Sequence, residues 1–248
     1  MLTLADVKAA RERIAGGVYL SPCVESIPLS QLTGAHIFCK LDYLQRTGSF
    51  KERGARNALL KLAPEQRRRG VIAASAGNHA QGVAYHGALL GIPVSVVMPQ
   101  FAALVKVTNC RQLGATVVLH GADLGEARLR AEDIARRDDL TFLHPFDNAD
   151  VIAGQGTMAL EILEQTPDLD AIVVPVGGGG LLAHRHGRQG IAAADAHRRR
   201  RARSRRVPYR GVRRGPSGAG AVVAHTRRRA GRADAGRVAV RGAAARGR

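Results

Sequence analysis

Long apolar runs are missing from this sequence, and so are paired cysteines. No apolar stretch approaches the ~20 residues that a membrane-spanning helix needs, which argues against a membrane protein. There are only three cysteines, Cys23, Cys39 and Cys110. An odd count without a C-x-x-C pair argues against a disulfide framework and against a four-thiolate zinc site. A reducing, cytoplasmic compartment and no metal are therefore expected. The opening "MLTLADVKAARERIAGG" places charges where a secretion signal needs an apolar core. Other absences are regional. Beyond residue 183 there is no leucine, phenylalanine, lysine or glutamate. Those 65 residues hold 20 arginines against two aspartates, and so carry the whole formal charge of +18. Residues 1–183 hold 18 basic and 18 acidic residues and are formally neutral. An arginine-rich stretch such as "RRRRARSRR" attracts polyanions without sequence preference. Tyr209 is its sole aromatic neighbour and no nucleic-acid-binding fold is recognisable, so only non-specific nucleic-acid binding is expected.

What is present before residue 184 is orderly. "TLADVKAARERI" reads as a helix with Thr3 as cap and Asp6 completing a capping box. Leu4, Val7, Ala10 and Ile14 share one side of it. "AHIFCKLDYL" reads as a strand and leads to a loop around Lys51. "ERGARNALLKLAPEQ" reads as a helix discouraged by Pro64. From residue 70 onward, apolar strand candidates recur about every 20–30 residues: "VIAAS", "IPVSVVM", "ATVVL", "TFLH" and "AIVVPV". Helical runs separate them. This alternation predicts an α/β fold with a mostly parallel sheet covered on both faces. Ligands are then expected at the carboxyl ends of the strands.

Four stretches carry candidate chemistry. In "SFKER", Lys51 becomes a nucleophile if its amine is partly desolvated; the bland alternative is a solvated loop lysine. "SAGNHAQG" follows a strand, and its small residues and helix start suit a carboxylate. "VPVGGGGLL" follows another strand. Four successive glycines cost conformational entropy and make sense where backbone N–H groups surround a phosphate. It is neither a P-loop nor a dinucleotide fingerprint, because no G-K-[ST] and no acidic ribose reader follows. "AGQGT" before "MALEILEQ" reads as a tight turn into a helix, which either closes the pocket or is merely structural.

The order "SIPLS", "KLDYLQRTGSFKERGARNAL", "VIAASAGNHAQGVAY", "IPVSVVMP", "GATVVLHG", "FLHPFDNADVIAGQGTMALEI" and "VVPVGGGGLL" resembles the fold-type II pyridoxal-phosphate enzymes, the tryptophan synthase β-like group. Within them it is most similar to the threonine/serine ammonia-lyases, or threonine dehydratases. The resemblance covers residues 1–183 only. It implies two αβα domains: a large cofactor domain from residues 1–44 and 149–183, incomplete here, and a small mobile domain from 45–148. The implied cofactor is pyridoxal 5'-phosphate, linked covalently to Lys51. Phe50 would pack beside it and Asn78 would bind its ring hydroxyl. Gly177, Gly178, Gly179, Gly180 and Leu181 would wrap its phosphate. Ser75, Gly77, Asn78 and His79 would receive the substrate carboxylate. The implied reaction eliminates water from L-threonine or L-serine, and the released aminoacrylate-type product is hydrolysed to ammonia and 2-oxobutanoate or pyruvate. Lys51 would be the base, and a homo-oligomer is a natural setting.

Two alternatives stand beside this reading. A serine racemase of the same fold needs an acid on the opposite face of the substrate, and Ser75 lies near the position such an acid takes. Racemases often read Ser-Ser-Gly-Asn there, whereas this chain reads "SAGN", which tilts the expectation towards elimination. The second alternative comes from the tail. Residues 184–248, rich in Arg, Ala and Gly, break the strand–turn–helix pattern abruptly, as a shifted reading frame in a GC-rich gene would. The chain would then be an inactive product with non-specific polyanion binding. Relatives continue past the glycine stretch with residues for the cofactor's ring nitrogen and for a cation, and no counterpart of these can be assigned here.

Overall fold

A computed structural model describes residues 2–175 and 178–183. The expectations for the tail, 184–248, and for Gly177 lie outside the described residues. Helix α1 (Leu4–Ile14) carries the expected capping box: the Asp6 N–H donates to Thr3 Oγ1 at 3.3 Å and the Thr3 N–H to Asp6 Oδ2 at 2.8 Å. Val7, Ala10 and Ile14 are its buried side. Strand β1 (Cys23–Glu25) pairs antiparallel with β2 (Phe38–Lys40) around helix α2 (Ile27–Thr33). The strand expected across residues 35–44 is thus three residues long; a 3₁₀ turn, Asp42–Leu44, replaces its end.

Helix α3 (Lys51–Leu60) begins on the lysine itself. Pro64, expected to discourage a helix, instead starts a second one, α4 (Pro64–Arg69). A proline at a helix's first turn loses no hydrogen bond and arrives with a suitable φ. The chain then alternates: β3 (Val71–Ala74), α5 (Asn78–Leu90), β4 (Val94–Met98), α6 (Leu104–Gln112), β5 (Thr116–Leu119), α7 (Leu124–Arg137), β6 (Thr141–Phe142) and α8 (Ala149–Gln165). The sheet order is β5-β4-β3-β6, with every pair parallel.

Strand side chains alternate between faces. Val71, Val94, Val96 and Met98 pack on α3, α5 and α6 through Leu59, Val83, Val107 and Cys110. Ile72, Ala74 and Val97 face α7 through Ala127, Ala131 and Ile134. Both faces are covered, so the strands are nearly all apolar rather than alternating.

Two expectations fail for physical reasons. "AGQGT" is not a turn: residues 153–157 lie inside α8. Its glycine serves close packing, since a Cβ on Gly154 would lie 2.5 Å from the Arg53 carbonyl oxygen, and one on Gly54 would lie 2.6 Å from the Val151 carbonyl oxygen. Helices α3 and α8 therefore cross almost backbone to backbone. Residues 171–175 form no strand and belong to neither sheet of the described residues. Ile172 and Val174 pack instead beside Met158, Ile162 and Leu181.

Candidate functional site

The carboxyl ends of β3 and β6 open on the first turns of α3 and α5. Gly48, with φ +75°, reverses the chain ahead of Ser49 and Phe50, and α3 starts at Lys51. Lys51 Nζ donates to the Pro145 carbonyl at 2.8 Å and lies 5.4 Å from the Phe50 ring centre. It makes no ion pair among the described residues. Burial holds its amine below the ordinary lysine value. Desolvation without a counter-charge favours the neutral, nucleophilic form. Just ahead of it, the Ser49 hydroxyl is buried without a hydrogen-bond partner.

The second wall is the start of α5. The Ser75 N–H donates to the Val97 carbonyl at 3.2 Å, which keeps Ser75 at the sheet's end. Its Oγ accepts from the Gly77 N–H at 3.2 Å. A Cβ on Gly77 would meet nothing within 4 Å, so the ground before this helix is open. Asn78 Oδ1 accepts from Lys106 Nζ at 3.4 Å. His79 is buried and its Nε2 bonds the Leu143 carbonyl at 3.1 Å. Burial chiefly, with some help from the Lys51 charge, pushes His79 down to about 4. It is therefore neutral, and its Nδ1 is a buried nitrogen without a partner.

The third wall is the glycine turn. A Cβ on Gly178 would lie 2.4 Å from the Phe146 ring, and one on Gly180 would lie 3.0 Å from Phe146 Cβ. Gly179 has φ +87° with open space where a side chain would be. A turn of this kind admits only glycine and presents bare backbone. It ends in a 3₁₀ turn, Gly180–Ala183, whose Leu181 is buried against Met158 and Ile162 with Phe50 beside them.

The fold thus brings together Lys51, Phe50, Ser75, Gly77, Asn78 and His79 with Gly178, Gly179, Gly180 and Leu181. Sequence reasoning missed the segment that ties them. Leu143, Pro145 and Phe146 touch His79, Lys51 and the glycine turn respectively. The available signal was "HPFDN" lying directly after a strand, where ligand loops gather.

Reasoning from the sequence also missed the buried charges beneath α3. Arg53, two residues beyond Lys51, is fully buried. It donates to both Asp42 oxygens, at 2.7 and 2.8 Å, and to both Glu161 oxygens, at 2.6 and 2.8 Å. Lys40 pairs with Glu161 at 2.6 Å, and Ser21 Oγ donates to Asp42 at 2.5 Å. Burial pushes the Asp42 carboxyl up, but Arg53 and Ser21 outweigh it and hold it below its ordinary value. Among the described residues no cluster of His, Cys, Asp and Glu could hold a metal. No helix there is long and apolar enough to cross a membrane.

The residues fit an aldehyde-bearing phosphate: a desolvated amine, a bare glycine turn, an open helix start and an unpartnered hydroxyl. Comparison with known proteins points the same way. A family model described as pyridoxal-phosphate dependent enzyme matches residues 14–183. L-threonine ammonia-lyase of Thermotoga maritima is 49% identical over 183 residues, 74% of this chain and 46% of that protein. A catabolic L-threonine dehydratase of Staphylococcus aureus is 44% identical over 195 residues, 78% of this chain and 55% of that protein. The serine racemase structure from Dictyostelium discoideum aligns with a TM-score of 0.74 and 38% identity, covering 77% of this chain and 63% of that one. The chain spans about half the length of the curated relatives it matches.

Proposed function

Because the chain belongs to the pyridoxal-phosphate dependent enzyme family, we propose that Lys51 binds pyridoxal 5'-phosphate and that the protein is a threonine/serine ammonia-lyase. When bound, the cofactor supplies an electron sink for a carbanion at the substrate's α carbon. The remaining tasks fall to the chain. The Lys51 amine, whose proton affinity burial lowers, takes the α proton in its unprotonated form. Phe50 shields it from water. The backbone of Gly178, Gly179 and Gly180 holds the phosphate, and Leu181 anchors that turn on α8. The Asn78 side chain binds the ring hydroxyl. Ser75, Gly77, Asn78 and His79 receive the substrate carboxylate at the start of α5. Loss of the α proton and the β-hydroxyl as water leaves an enamine; once released, it takes up one water and gives ammonia with 2-oxobutanoate from L-threonine or pyruvate from L-serine.

One observation carries this reading: a half-buried lysine without an acidic partner, at the first residue of a helix, bonds the Pro145 carbonyl, and the next residue, Phe146, packs against a glycine turn. The division into a cofactor unit, 1–44 with 149–183, and a mobile unit, 45–148, belongs to the same proposal. It is supported by the parallel sheet lying within 71–142 and the β1–β2 pair within 23–40. A homo-oligomer is supported by the exposed Leu20, Ile27, Leu32 and Tyr43. A cytoplasmic setting suits three free cysteines.

Serine racemase is the second reading, favoured by the 38% identical racemase structure. Ser75 is its candidate proton donor. The higher identities to a lyase and a dehydratase support elimination. The test is a titration of the full chain with pyridoxal phosphate, followed by product analysis with L-threonine and L-serine. A visible absorbance band that is lost in Lys51→Ala is expected, with 2-oxobutanoate and pyruvate as products. D-serine appearing faster than pyruvate would establish racemisation instead. Absence of any Lys51-dependent band in a folded sample would remove the enzymatic reading.

A further inference from the structure

We propose that His144 is a positioning residue for this site: its imidazole closes the turn 144–147 and thereby holds the Pro145 carbonyl against Lys51 and the Phe146 ring against the glycine turn. The proposal rests on the cofactor reading above and deepens it. His144 Nδ1 accepts the Asp147 N–H at 2.8 Å and the Phe146 N–H at 3.4 Å. Pro145 lies inside the ring so formed, with its own φ locked by the pyrrolidine. The direction of its carbonyl is therefore set by a closed turn, and that carbonyl accepts from Lys51 Nζ at 2.8 Å. The imidazole is clamped edge-to-face between Phe142, at 6.1 Å, and Phe146, at 4.6 Å between ring centres. Phe146 in turn fills the space a Cβ on Gly178 would need. One imidazole thus sets both the lysine's acceptor and the ring against which the phosphate turn packs.

Accepting two N–H groups at Nδ1 requires that nitrogen to be unprotonated. The charged and titratable groups around the ring are Arg128 and Glu132 of α7, Asp147 of its own turn, Lys51 of α3 and the buried, neutral His79 of α5. Burial first, then Arg128, lowers the affinity of His144 for a proton; Asp147 and Glu132 oppose this, and Lys51 adds to it. A base depressed in the folded state leaves the turn intact at neutral pH. The turn is lost as pH falls through the lowered imidazole value.

The test compares full-length wild type, H144A and H144N. Asparagine keeps an oxygen that bonds the backbone N–H two or three residues on, but it does not titrate. In the cofactor-free chains, amide hydrogen exchange over residues 144–148 should quicken in H144A and return to the wild-type rate in H144N. Pyridoxal phosphate binding, read by the Lys51-dependent band, should weaken roughly 3–10-fold in H144A at neutral pH, the worth of one or two hydrogen bonds. H144N should stay within about twofold of wild type, on the same scale. Below neutral pH, wild-type binding should fall more steeply than that of H144N, which lacks the titrating imidazole. If H144A melts early, H144N and its shallower acid limb carry the test alone. Equal binding by wild type and H144A, or an unchanged acid limb in H144N, overturns the positioning role while leaving the cofactor reading intact. A wild type that shows the exchange pattern but no Lys51-dependent band overturns the cofactor reading and this proposal with it.

Discussion

The parallel sheet and the α3–α8 seam solve the same packing problem with opposite chemistry. The sheet is held by apolar side chains on both faces, Val71, Val96 and Met98 on one and Ile72 and Val97 on the other. Such burial is non-directional and tolerates small shifts. The seam under the candidate site buries Arg53 between Asp42 and Glu161 and brings Gly54 against Gly154. Buried ion pairs add little net stability, because desolvation offsets most of the Coulombic gain. What the Arg53 cluster supplies is direction: its guanidinium can satisfy two carboxylates in only one orientation of α3. The helix so fixed is the one whose first residue is Lys51. In this protein the hydrophobic half provides the free energy and the charged half aims the amine.

That contrast can be broken at its strongest point first. Arg53→Met leaves Asp42 and Glu161 buried with too little positive charge, and about 3–5 kcal/mol of stability should be lost, measured by urea unfolding. Adding Asp42→Asn should recover part of it, because the two sites share one network. A smaller effect is expected from Gly154→Ala. Its methyl would lie 2.5 Å from the backbone oxygen of Arg53, which cannot swing aside as a side chain would. An overpacking cost of about 1–3 kcal/mol should exceed the roughly 1 kcal/mol of helix propensity gained. Binding of pyridoxal phosphate should fall with it, since α3 is pushed off α8. The smallest effect should come from the sheet. Ile72→Val should cost about 0.5–1.5 kcal/mol and leave Lys51-dependent cofactor binding at its wild-type level. If Ile72→Val disturbed binding as much as Gly154→Ala does, the division of labour between sheet and seam would be refuted.

The strand–helix order from residue 70 was legible because period and turn chemistry are local. "LGEARLRAEDIARR" is helix α7 residue for residue. The Thr3–Asp6 cap was legible for the same reason. The errors share a cause. "AGQGT" looked like a turn because glycines next to a helix usually are one; α8 keeps its glycine because another backbone, that of α3, comes within contact distance. "AIVVPV" looked like a strand because its residues favour extension, but a strand needs a neighbour to pair with. Pro64 marked a helix start as legitimately as a helix stop, and single-sequence reasoning cannot choose.

Sequence alone determined the α/β alternation, the neutral residues 1–183 set against an arginine-rich remainder, and the presence of a lysine, an asparagine loop and a glycine run in an order resembling one enzyme family. Tertiary structure decided which groups those residues meet. The Pro145 carbonyl that receives Lys51 is 94 residues away along the chain, and Glu161, which fixes Arg53, is 108 away. The physical reason is the range of each effect. Helix caps, turns and periodicity act over a few residues and are written locally, whereas the desolvation of an amine and the pairing of a buried charge depend on whatever the folded chain places beside them.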